Sequence, residues 1–585
     1  MQGVNGCFWR VNLVRSPDAT MPHTRNQGGL AMNATSTVSR YLLARLEEVG
    51  VGHLFGVPGD YVLDFLDAVV ASPIDWVGTC NELNAGYAAD GYARMNGAGA
   101  AVVTYGVGAF SIINAVAGAF AERVPLIVIS GAPPARRREA GAMVHHLVAD
   151  YYRQVEIFKK VTIDAAMLAN PDAAPDEIDR VIRNCVTEKL PVYLELPVDV
   201  ALAPCRTPRP IADIAPPRSD EASLSECVAE AASLFDRSAH PLVLAGMELL
   251  RRGLGNETLR LVETAEVPFA TMLGSKSVLP ELHPQFVGIY QGGWSLDAVQ
   301  RQVEDSDCLL SLGVWMTDLD TGLFSVNLDP RRTIAAGGDQ VRIGNHYYRQ
   351  VQLGDFIREL AKAITPRSFL ASHPAHARCP RTPFVPGKSR TLTAARLYEC
   401  INAFLDDRMV LLAEPGDAFC AAPEFFIEEA ENFIVQSYYA SIGYCTPAAL
   451  GVALARPGKR PVVLTGDGAF QMTVQEVSTL IRQRCPAIIV VINNDGYLIE
   501  RLLHEDGPYN DIQMWRYAKL TEVFSGDGAA VGIRVETEEE LNGAMKRAVD
   551  ETDTLFLIEA SLPGRDCSAG LDRLGRSFRQ AQRKT

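Results

Sequence analysis

The sequence lacks three features that would assign it to other classes of protein. Its 12 cysteines are scattered singly, with no Cys-x-x-Cys pair, which argues against a zinc ribbon or a disulfide scaffold. No apolar run approaches the roughly 18 residues of a membrane helix. Basic residues are also scarce, because 55 Lys and Arg face 70 Asp and Glu, a net charge of −15, whereas nucleic-acid binders need a basic surface. We therefore expect a cytoplasmic protein with reduced thiols and with no nucleic-acid or membrane partner.

Length and proline distribution predict three domains. At roughly one domain per 150 residues, a chain of 585 residues has room for three or four. Hydrophobic residues make up 48% of the chain, enough to fill a core in each. Two proline-rich stretches, 204–217 and 372–388, are typical of linkers, because proline fixes φ and removes a backbone donor. We predict a disordered extension at 1–31 and domains at 32–206, 207–388 and 389–585.

Each predicted domain alternates short apolar strands with helices. In the third, the strands PVVLT (461–465) and AIIVVI (487–492) flank a predicted helix at 473–484. The first two domains show similar strands at 101–105, 125–130, 191–196, 241–245 and 308–312. Nearly continuous apolar strands separated by helices indicate parallel sheets covered on both faces. The predicted fold class is therefore α/β, with three doubly wound domains of mainly parallel sheet.

The sharpest motif is Gly466-Asp467-Gly468, directly after one predicted strand, with Asn494 and Gly496 directly after the next. Glycine lets a backbone approach a phosphate, and helix N-terminal N–H groups favour anions. The Asp467 carboxylate, the Asn494 side-chain carbonyl and the Gly496 backbone carbonyl are oxygen ligands of the kind that Mg²⁺ prefers. Alone, either motif would be an ordinary turn or loop. Together, at the carboxyl ends of neighbouring strands, they predict a metal–diphosphate site. A dinucleotide fold is the competing interpretation, but no Gly-x-Gly-x-x-Gly occupies the matching strand–helix junction.

The pattern Gly-Asp-Gly followed by Asn-Asn resembles the thiamine diphosphate-binding fingerprint of thiamine-dependent enzymes. The resemblance extends over nearly the whole chain after residue 32. That family has pyrimidine-binding, middle and diphosphate-binding domains in this order, and its cofactors are thiamine diphosphate and Mg²⁺. Each site lies between two subunits, so the resemblance implies a homodimer or homotetramer. It also implies that Ile442 bends the cofactor and that the Ala440 carbonyl meets its exocyclic amine. Further implied cofactor contacts come from Asp417, Gly468, Ala469 and Tyr497.

The segment Thr79–Arg94 (TCNELNAGYAADGYAR) resembles the glutamate motif of the same family. The resemblance places Glu82 against the aminopyrimidine ring, where its carboxyl group would hydrogen-bond a ring nitrogen and favour the imino tautomer. The exocyclic nitrogen could then take the C2 proton of the thiazolium and give the ylide. The cofactor performs the carbanion chemistry, and the protein positions it. Without this motif, Glu82 would be an ordinary carboxylate at a helix N-terminus.

Three further features resemble the 2-oxo acid decarboxylases of the pyruvate and indolepyruvate type. They are Asp60 in the segment GVPGDY, the adjacent His145 and His146, and Glu500 just beyond the metal loop. Once CO₂ has left, the remaining enamine must be protonated and the aldehyde expelled, which needs groups that exchange protons near neutral pH. We assign Asp60 and His146 to proton relay and product release, and His145 to the orientation of that relay. Glu500 is assigned to the departing carboxylate and to protonation.

The predicted reaction is the non-oxidative decarboxylation of a short 2-oxo acid, with pyruvate favoured, to the aldehyde and CO₂. The segments GPYNDIQMW (507–515) and GRDCS (564–568) resemble pyruvate decarboxylases more than enzymes for aromatic acids. The alternatives are a branched-chain or aromatic 2-oxo acid as substrate, a carboligase that forms acyloins, and a non-catalytic paralogue. Pocket volume decides substrate size, and sequence does not give it. The pocket residues predicted by position are Tyr290, Pro415, Phe419, Ile499 and Leu503.

Overall fold

The computed structural model describes residues 36–208, 217–366, 382–504, 506–525 and 528–582. The extension predicted at 1–31 lies outside the described residues, as do parts of both proline-rich stretches. Among the helices of these ranges, none has the length and apolar content that a membrane span requires. Three large sheets organise the fold, and each is formed by one stretch of the chain.

The first sheet lies in the stretch from Ser36 to Cys205. The strands of this stretch are β1 (Ser36–Thr37), β2 (His53–Gly56), β3 (Asp75–Gly78), β4 (Gly99–Val103), β5 (Leu126–Ala132), β6 (Asp164–Met167), β7 (Val192–Pro197) and β8 (Pro204–Cys205). Its helices are α1 (Val38–Glu48), α2 (Leu63–Val70), α3 (Glu82–Asn96), α4 (Val107–Ser111), α5 (Ile113–Ala121), α6 (Ala135–Glu139), α7 (Arg153–Phe158), α8 (Ala174–Glu188) and α9 (Val198–Ala201). Six strands pair in parallel in the order β3-β2-β4-β5-β7-β6, while β1 and β8 form a separate antiparallel pair.

The second sheet has seven strands in the order β11-β10-β9-β12-β13-β14-β15. The strands are β9 (Pro241–Ala245), β10 (Phe269–Thr271), β11 (Phe286–Ile289), β12 (Cys308–Leu312), β13 (Thr333–Gly337), β14 (Gln340–Ile343) and β15 (His346–Arg349). The helices are α10 (Glu221–Arg237), α11 (Met247–Arg251), α12 (Gly255–Ala265), α13 (Asp297–Glu304) and α14 (Leu353–Ala363). Only the last two pairings, β13 with β14 and β14 with β15, are antiparallel, and they form the edge of the sheet.

The third sheet is parallel throughout, in the order β17-β16-β18-β19-β21-β20. The strands are β16 (Met409–Ala413), β17 (Phe433–Ile434), β18 (Arg460–Gly466), β19 (Ile488–Asn493), β20 (Ala530–Val535) and β21 (Leu555–Ser561). The helices are α15 (Ala394–Phe404), α16 (Asp417–Ala421), α17 (Cys445–Ala455), α18 (Asp467–Thr473), α19 (Val477–Arg482), α20 (Leu498–Leu503), α21 (Leu520–Phe524), α22 (Glu538–Asp550) and α23 (Ala569–Gln582).

The first and third sheets meet through α3 and α17, which pack closely because glycine lies at their contact. A Cβ on Gly91 would come within 2.4 Å of the Ala448 carbonyl oxygen, and one on Gly451 within 1.9 Å of the Ala88 carbonyl oxygen. Neither position can therefore carry a side chain without separating the helices.

The predicted α/β class, with three doubly wound units of mainly parallel sheet, is confirmed. The domain boundaries stay a prediction. One local expectation was wrong: the helix predicted at 473–484 is two helices, α18 and α19, joined by a 3₁₀ turn over Val474–Glu476, and the first begins already at Asp467. The helix therefore starts inside the Gly-Asp-Gly motif itself.

Candidate functional site

The three predicted metal ligands lie together at the carboxyl edge of the third sheet. Asp467 is only 1% exposed. Its Oδ1 accepts the Gly468 N–H at 2.7 Å, and its Oδ2 accepts the N–H groups of Asn494 at 3.2 Å and Gly496 at 3.0 Å. These contacts follow from topology, since β18 and β19 are parallel neighbours and both motifs leave the sheet at the same edge.

The environment of Asp467 fits a bound cation. Burial raises the pKa of its carboxyl group, and among the described residues no Lys or Arg lies within ion-pair distance of it. A buried carboxylate needs a compensating charge. The donors available here are a carboxylate, the Asn494 amide carbonyl and the Gly496 backbone carbonyl, which is the oxygen-rich set that Mg²⁺ prefers.

Glycine is required at two positions around this cluster. A Cβ on Gly468 would lie 2.5 Å from the ring of Tyr497. Gly496 has φ +116°, and a Cβ there would lie 2.4 Å from the Asn510 carbonyl oxygen. A Cβ on Gly466, by contrast, would meet nothing within 4 Å, so the backbone at the start of α18 is open to a ligand. Helix N-terminal N–H groups at such a junction favour phosphate.

A small cavity of about 70 Å³ adjoins the cluster. Eight of the residues predicted to bind the cofactor line it, namely Asp417, Ile442, Asp467, Gly468, Ala469, Asn494, Gly496 and Tyr497. The Asp417 carboxylate is held by protein groups, because it accepts the Tyr398 hydroxyl and the Ser568 N–H, each at 2.9 Å. Ala440, another predicted contact, does not line this cavity, and its φ is +53°.

The predicted substrate-pocket residues do not all reach this cavity. Pro415 and Ile499 line it. Phe419 is buried in the core of the third sheet, and Leu503 packs partly buried against the same core. Tyr290 is fully buried in the second sheet, where its hydroxyl donates to Glu304 at 2.9 Å. Within one chain, Tyr290 therefore does not line this cavity, although its position in the sequence predicted a pocket residue.

Glu414 is a cavity residue that the motifs did not identify. Its carboxylate is 1% exposed and accepts the N–H groups of Tyr444 and Cys445, at 3.0 and 3.2 Å. It thereby satisfies donors at the start of α17. Burial raises its pKa to about 7. Its position directly after β16, in the same sheet edge as Asp467, is the signal that could have revealed it.

The predicted relay residues form a second cluster, at the carboxyl edge of the first sheet. Nε2 of His145 lies 2.6 Å from Asp60 Oδ2, and Nδ1 lies 3.3 Å from the Tyr61 hydroxyl oxygen. The Tyr61 ring stacks on His145 with centroids 4.8 Å apart, and His146 meets His145 edge-on at 4.7 Å. The Asp60–His145 contact fixes which imidazole nitrogen faces the carboxylate, the arrangement used to orient a proton carrier.

His146 is held differently from His145. Its φ is +65°, and its Nδ1 is buried with no hydrogen-bond partner among the described residues. One ligand atom from each of Asp60, His145 and His146 lies within 4.8 Å of the others, so the cluster could also accept a cation. The 2.6 Å hydrogen bond between Asp60 and His145 favours proton exchange, because a metal would have to separate that pair.

Glu82 lies at the same edge, as the first residue of α3 and half-buried. The Asn81 side chain caps this helix by accepting the Asn84 N–H at 2.8 Å. A Cβ on Gly108 would lie 3.2 Å from Glu82 Oε1, so the carboxyl group rests against the turn that follows β4.

Within one chain, the predicted site residues therefore form two groups. Glu82, Asp60, His145 and His146 belong to the first sheet. The metal ligands belong to the third, and Glu500 is exposed on α20 beside them. In the ranges that the structure describes, no hydrogen bond or ion pair links the first group to the ligands or to Glu500.

Both groups lie in parts of the chain that match models of known protein families. Residues 36–156 match the model of the thiamine pyrophosphate enzyme N-terminal TPP-binding domain, 228–364 match the central domain, and 418–560 match the C-terminal TPP-binding domain. The "Alpha-keto-acid decarboxylase" of Mycobacterium leprae is 38% identical over 565 residues, 94% of this chain and 97% of the relative. The same-named protein of Mycobacterium tuberculosis H37Rv is 38% identical over 532 residues, 90% and 94% of the two chains.

A fungal relative gives the same result. The "Probable pyruvate decarboxylase Pdc101" of Schizosaccharomyces pombe is 35% identical over 556 residues, 94% of this chain and 97% of the relative. The matched models contain both sheet edges at which the two groups lie, and the relatives span nearly the whole chain. The chain therefore belongs to the thiamine pyrophosphate enzyme family and, within it, to the thiamine diphosphate-dependent 2-oxo acid decarboxylases.

Proposed function

We propose that the preferred substrate is pyruvate, or a 2-oxo acid nearly as short, and that it is converted to the aldehyde and CO₂. The observation that carries this proposal is the pair of apolar side chains, Pro415 and Ile499, that lines the cavity beside the metal ligands and suits the short alkyl group of such an acid. The name of the S. pombe relative agrees with a short substrate.

Thiamine diphosphate, when bound, supplies the carbanion chemistry that breaks the bond to the departing carboxylate. Asp467, Asn494 and Gly496 would hold Mg²⁺, and the backbone at 466–469 would receive the diphosphate. Ile442 would hold the cofactor in its bent shape, and Glu82 would bond the pyrimidine ring. The roles of Ile442 and Glu82 follow from the family resemblance, whereas the metal ligands also follow from the oxygen donors at the third-sheet edge.

The relay residues would transfer protons and would take no part in breaking the carbon–carbon bond. Asp60 is positioned to accept a proton from, or return one to, the His145 ring at 2.6 Å. Tyr61 limits the rotation of that ring by stacking on it. We propose that His146 delivers the proton to the product side, while Glu500 faces the departing carboxylate.

The functional unit is a homodimer or a dimer of dimers in this proposal. Two half-sites that make no contact within one chain are complete only if the first-sheet group of one subunit meets the third-sheet group of another. We also propose a cytoplasmic location, which the ten described cysteines support because all of them are free thiols.

The test of the reaction is a panel of 2-oxo acids assayed with thiamine diphosphate and Mg²⁺. We expect the highest kcat/KM with pyruvate or 2-oxobutyrate and free aldehyde as the main product. Glu82→Gln is the inactive control, and exposed Glu139→Gln is the matched active one. Higher kcat/KM with phenylpyruvate or a branched-chain acid would overturn the substrate proposal. An excess of acyloin over aldehyde would identify a carboligase.

The test of the shared site is complementation. Glu82→Gln and Asp467→Asn variants, each inactive, are dissociated, mixed and reassociated. Mixed dimers would contain one site with both defects and one with neither, so up to about half of the activity of a wild-type dimer should return in them. No recovery, despite mixed dimers detected by native mass spectrometry, would place each complete site within one chain.

A further inference from the structure

Behind the relay cluster lies a buried polar network that contains none of the proposed catalytic residues. It joins Ser130 on β5, Gln154 on α7, and Tyr193 and Glu195 on β7. Each of these side chains is at most 2% exposed. The Gln154 Nε2 donates to the Tyr193 hydroxyl at 2.6 Å, to Glu195 Oε2 at 3.2 Å and to Ser130 Oγ at 3.2 Å. The Tyr193 hydroxyl donates in turn to Glu195 Oε2 at 3.0 Å.

The network ends on the turn between the two catalytic groups of the first sheet. Oε1 of Gln154 accepts the Gly106 N–H at 2.8 Å. Gly106 has φ +63°, and a Cβ there would lie 2.2 Å from the His146 carbonyl oxygen. Two residues further on, Gly108 faces Glu82, whose Oε1 would lie 3.2 Å from an added Cβ. Residues 104–108 thus touch His146 on one side and Glu82 on the other.

We propose that Gln154 is a positioning residue for the decarboxylation, which fixes the turn 104–108 and through it the separation of Glu82 and His146. Tyr193 and Glu195 determine which way the amide points. The Tyr193 hydroxyl oxygen and Glu195 Oε2 both accept from Nε2 of Gln154. Oε1 of Gln154 therefore faces the Gly106 N–H. The inference rests on the proposed roles of Glu82 and His146, but the network itself does not.

The composition of the first sheet supports a role beyond packing. Its central strands are otherwise almost wholly apolar on their buried positions, and apolar side chains at 154 and 195 would avoid the desolvation of an amide and a carboxyl group. Phe158 already packs the same space, since its ring stacks on Tyr193 with centroids 3.9 Å apart. What an apolar replacement could not supply is an acceptor for the Gly106 N–H.

The first test compares Gln154→Met with Phe158→Leu. Methionine keeps the length of the side chain but removes the acceptor, while Phe158→Leu loosens the packing and leaves the hydrogen bonds. Hydrogen exchange measured by mass spectrometry should show faster exchange at Gly106 in Gln154→Met and not in Phe158→Leu. We expect kcat to fall about 10- to 100-fold in Gln154→Met, with the KM for the 2-oxo acid and the stability close to those of Phe158→Leu.

The second test exchanges the two side chains. Gln154→Glu alone places two carboxyl groups together. In the double variant Gln154→Glu/Glu195→Gln, the carboxylate at 154 can again accept the Gly106 N–H, and the amide at 195 can donate to it. We expect the double variant to regain at least about 10-fold in kcat over the single one, and the pH profile of kcat/KM to return toward that of the wild type.

The outcomes separate this inference from the proposed function. If the wild type turns over no 2-oxo acid, the proposed function fails, and Gly106 exchange still decides whether Gln154 holds the turn. If Gly106 stays protected in Gln154→Met, or if kcat falls equally in Phe158→Leu, Gln154 is a packing residue and the inference is overturned. A double variant no better than Gln154→Glu alone would also contradict it.

Discussion

The two half-sites are built in opposite ways. At the third-sheet edge, Asp467 is 1% exposed and three backbone N–H groups fix its carboxylate. At the first-sheet edge, Asp60 and His145 are 52% and 59% exposed, and side chains position one another. A cation and a diphosphate need oxygens and N–H groups that water does not occupy. Proton transfer needs groups that exchange with solvent near neutral pH. The difference fits the roles proposed for the two regions, which are cofactor and metal binding in one and proton transfer in the other.

The largest expected effect comes from Asp467→Ala. It removes the buried carboxylate that would hold the metal, so thiamine diphosphate affinity in the presence of Mg²⁺ should fall at least about 1000-fold, since even partners of a metal ligand contribute 10- to 100-fold. Isothermal titration calorimetry measures this without turnover. Asp495→Asn is the matched control, because Asp495 is exposed in the same loop. Unchanged affinity for thiamine diphosphate in Asp467→Ala would show that the third-sheet edge is not the region that binds the cofactor.

The two regions also differ in how far the sequence predicted them. Asp467, Asn494 and Gly496 follow neighbouring strands in one short stretch, so strand order alone brings them together. Asp60 and His145 are 85 residues apart, and their contact at 2.6 Å depends on Tyr61 and on the positive φ of His146. Only the family resemblance grouped them.

Some site features carry no local sequence signal at all. Glu414 was missed because a lone carboxylate in Glu-Pro-Gly is typical of a turn, and its burial depends on α17 packing above it. Gln154 was missed because a glutamine on a short helix is ordinarily exposed, and only the fold places it behind Gly106. Tyr290, predicted as a pocket residue, does not line the cavity within one chain, because its hydroxyl turns toward Glu304, a contact that the sequence does not reveal.

The second prediction tests the proton half. Asp60→Asn keeps the shape of the side chain but removes the proton acceptor of His145, so kcat should fall about 100-fold, near 3 kcal/mol in activation free energy. Cofactor affinity should stay within about twofold of the wild type. Steady-state kinetics and calorimetry on the same preparation separate the two. Asp64→Asn, an exposed neighbour on α2, should change neither quantity. A large loss of cofactor affinity in Asp60→Asn would mean that the two regions do not divide their roles.

The third prediction concerns the pH dependence of stability in the buried half. Burial raises the pKa of Glu414 from 4.5 to about 7. Between these values the folded state holds a proton that the unfolded state has released, so this group's contribution is complete below about pH 4.5 and is lost as pH rises through about 7. Glu414→Gln removes that dependence, which is worth roughly 3 kcal/mol for a shift of this size.

Thermal unfolding midpoints at pH 5 and pH 8 measure this effect. The wild type should lose more stability over this interval than Glu414→Gln, and Glu139→Gln, at an exposed site, should behave as the wild type. An equal loss in the wild type and Glu414→Gln would show that Glu414 is ionised in the folded protein throughout, and that the cavity is better solvated than its burial indicates.

The smallest expected effect tests the loop that carries Ile442 between the two regions. Ala440 has φ +53°, a left-handed conformation that glycine adopts without a penalty and alanine does not. Ala440→Gly should therefore raise the unfolding midpoint, by an amount equivalent to about 1 kcal/mol at most, because the flexibility gained in the unfolded chain offsets part of the relief. Ala403→Gly, inside α15, should lower it by a similar amount. If Ala440→Gly is destabilising, the loop is held by its contacts in the left-handed form more strongly than φ implies. If Ala440→Gly instead leaves stability unchanged but weakens the binding of thiamine diphosphate, the strained alanine fixes the backbone carbonyl that meets the cofactor. The loop would then belong functionally with the binding half.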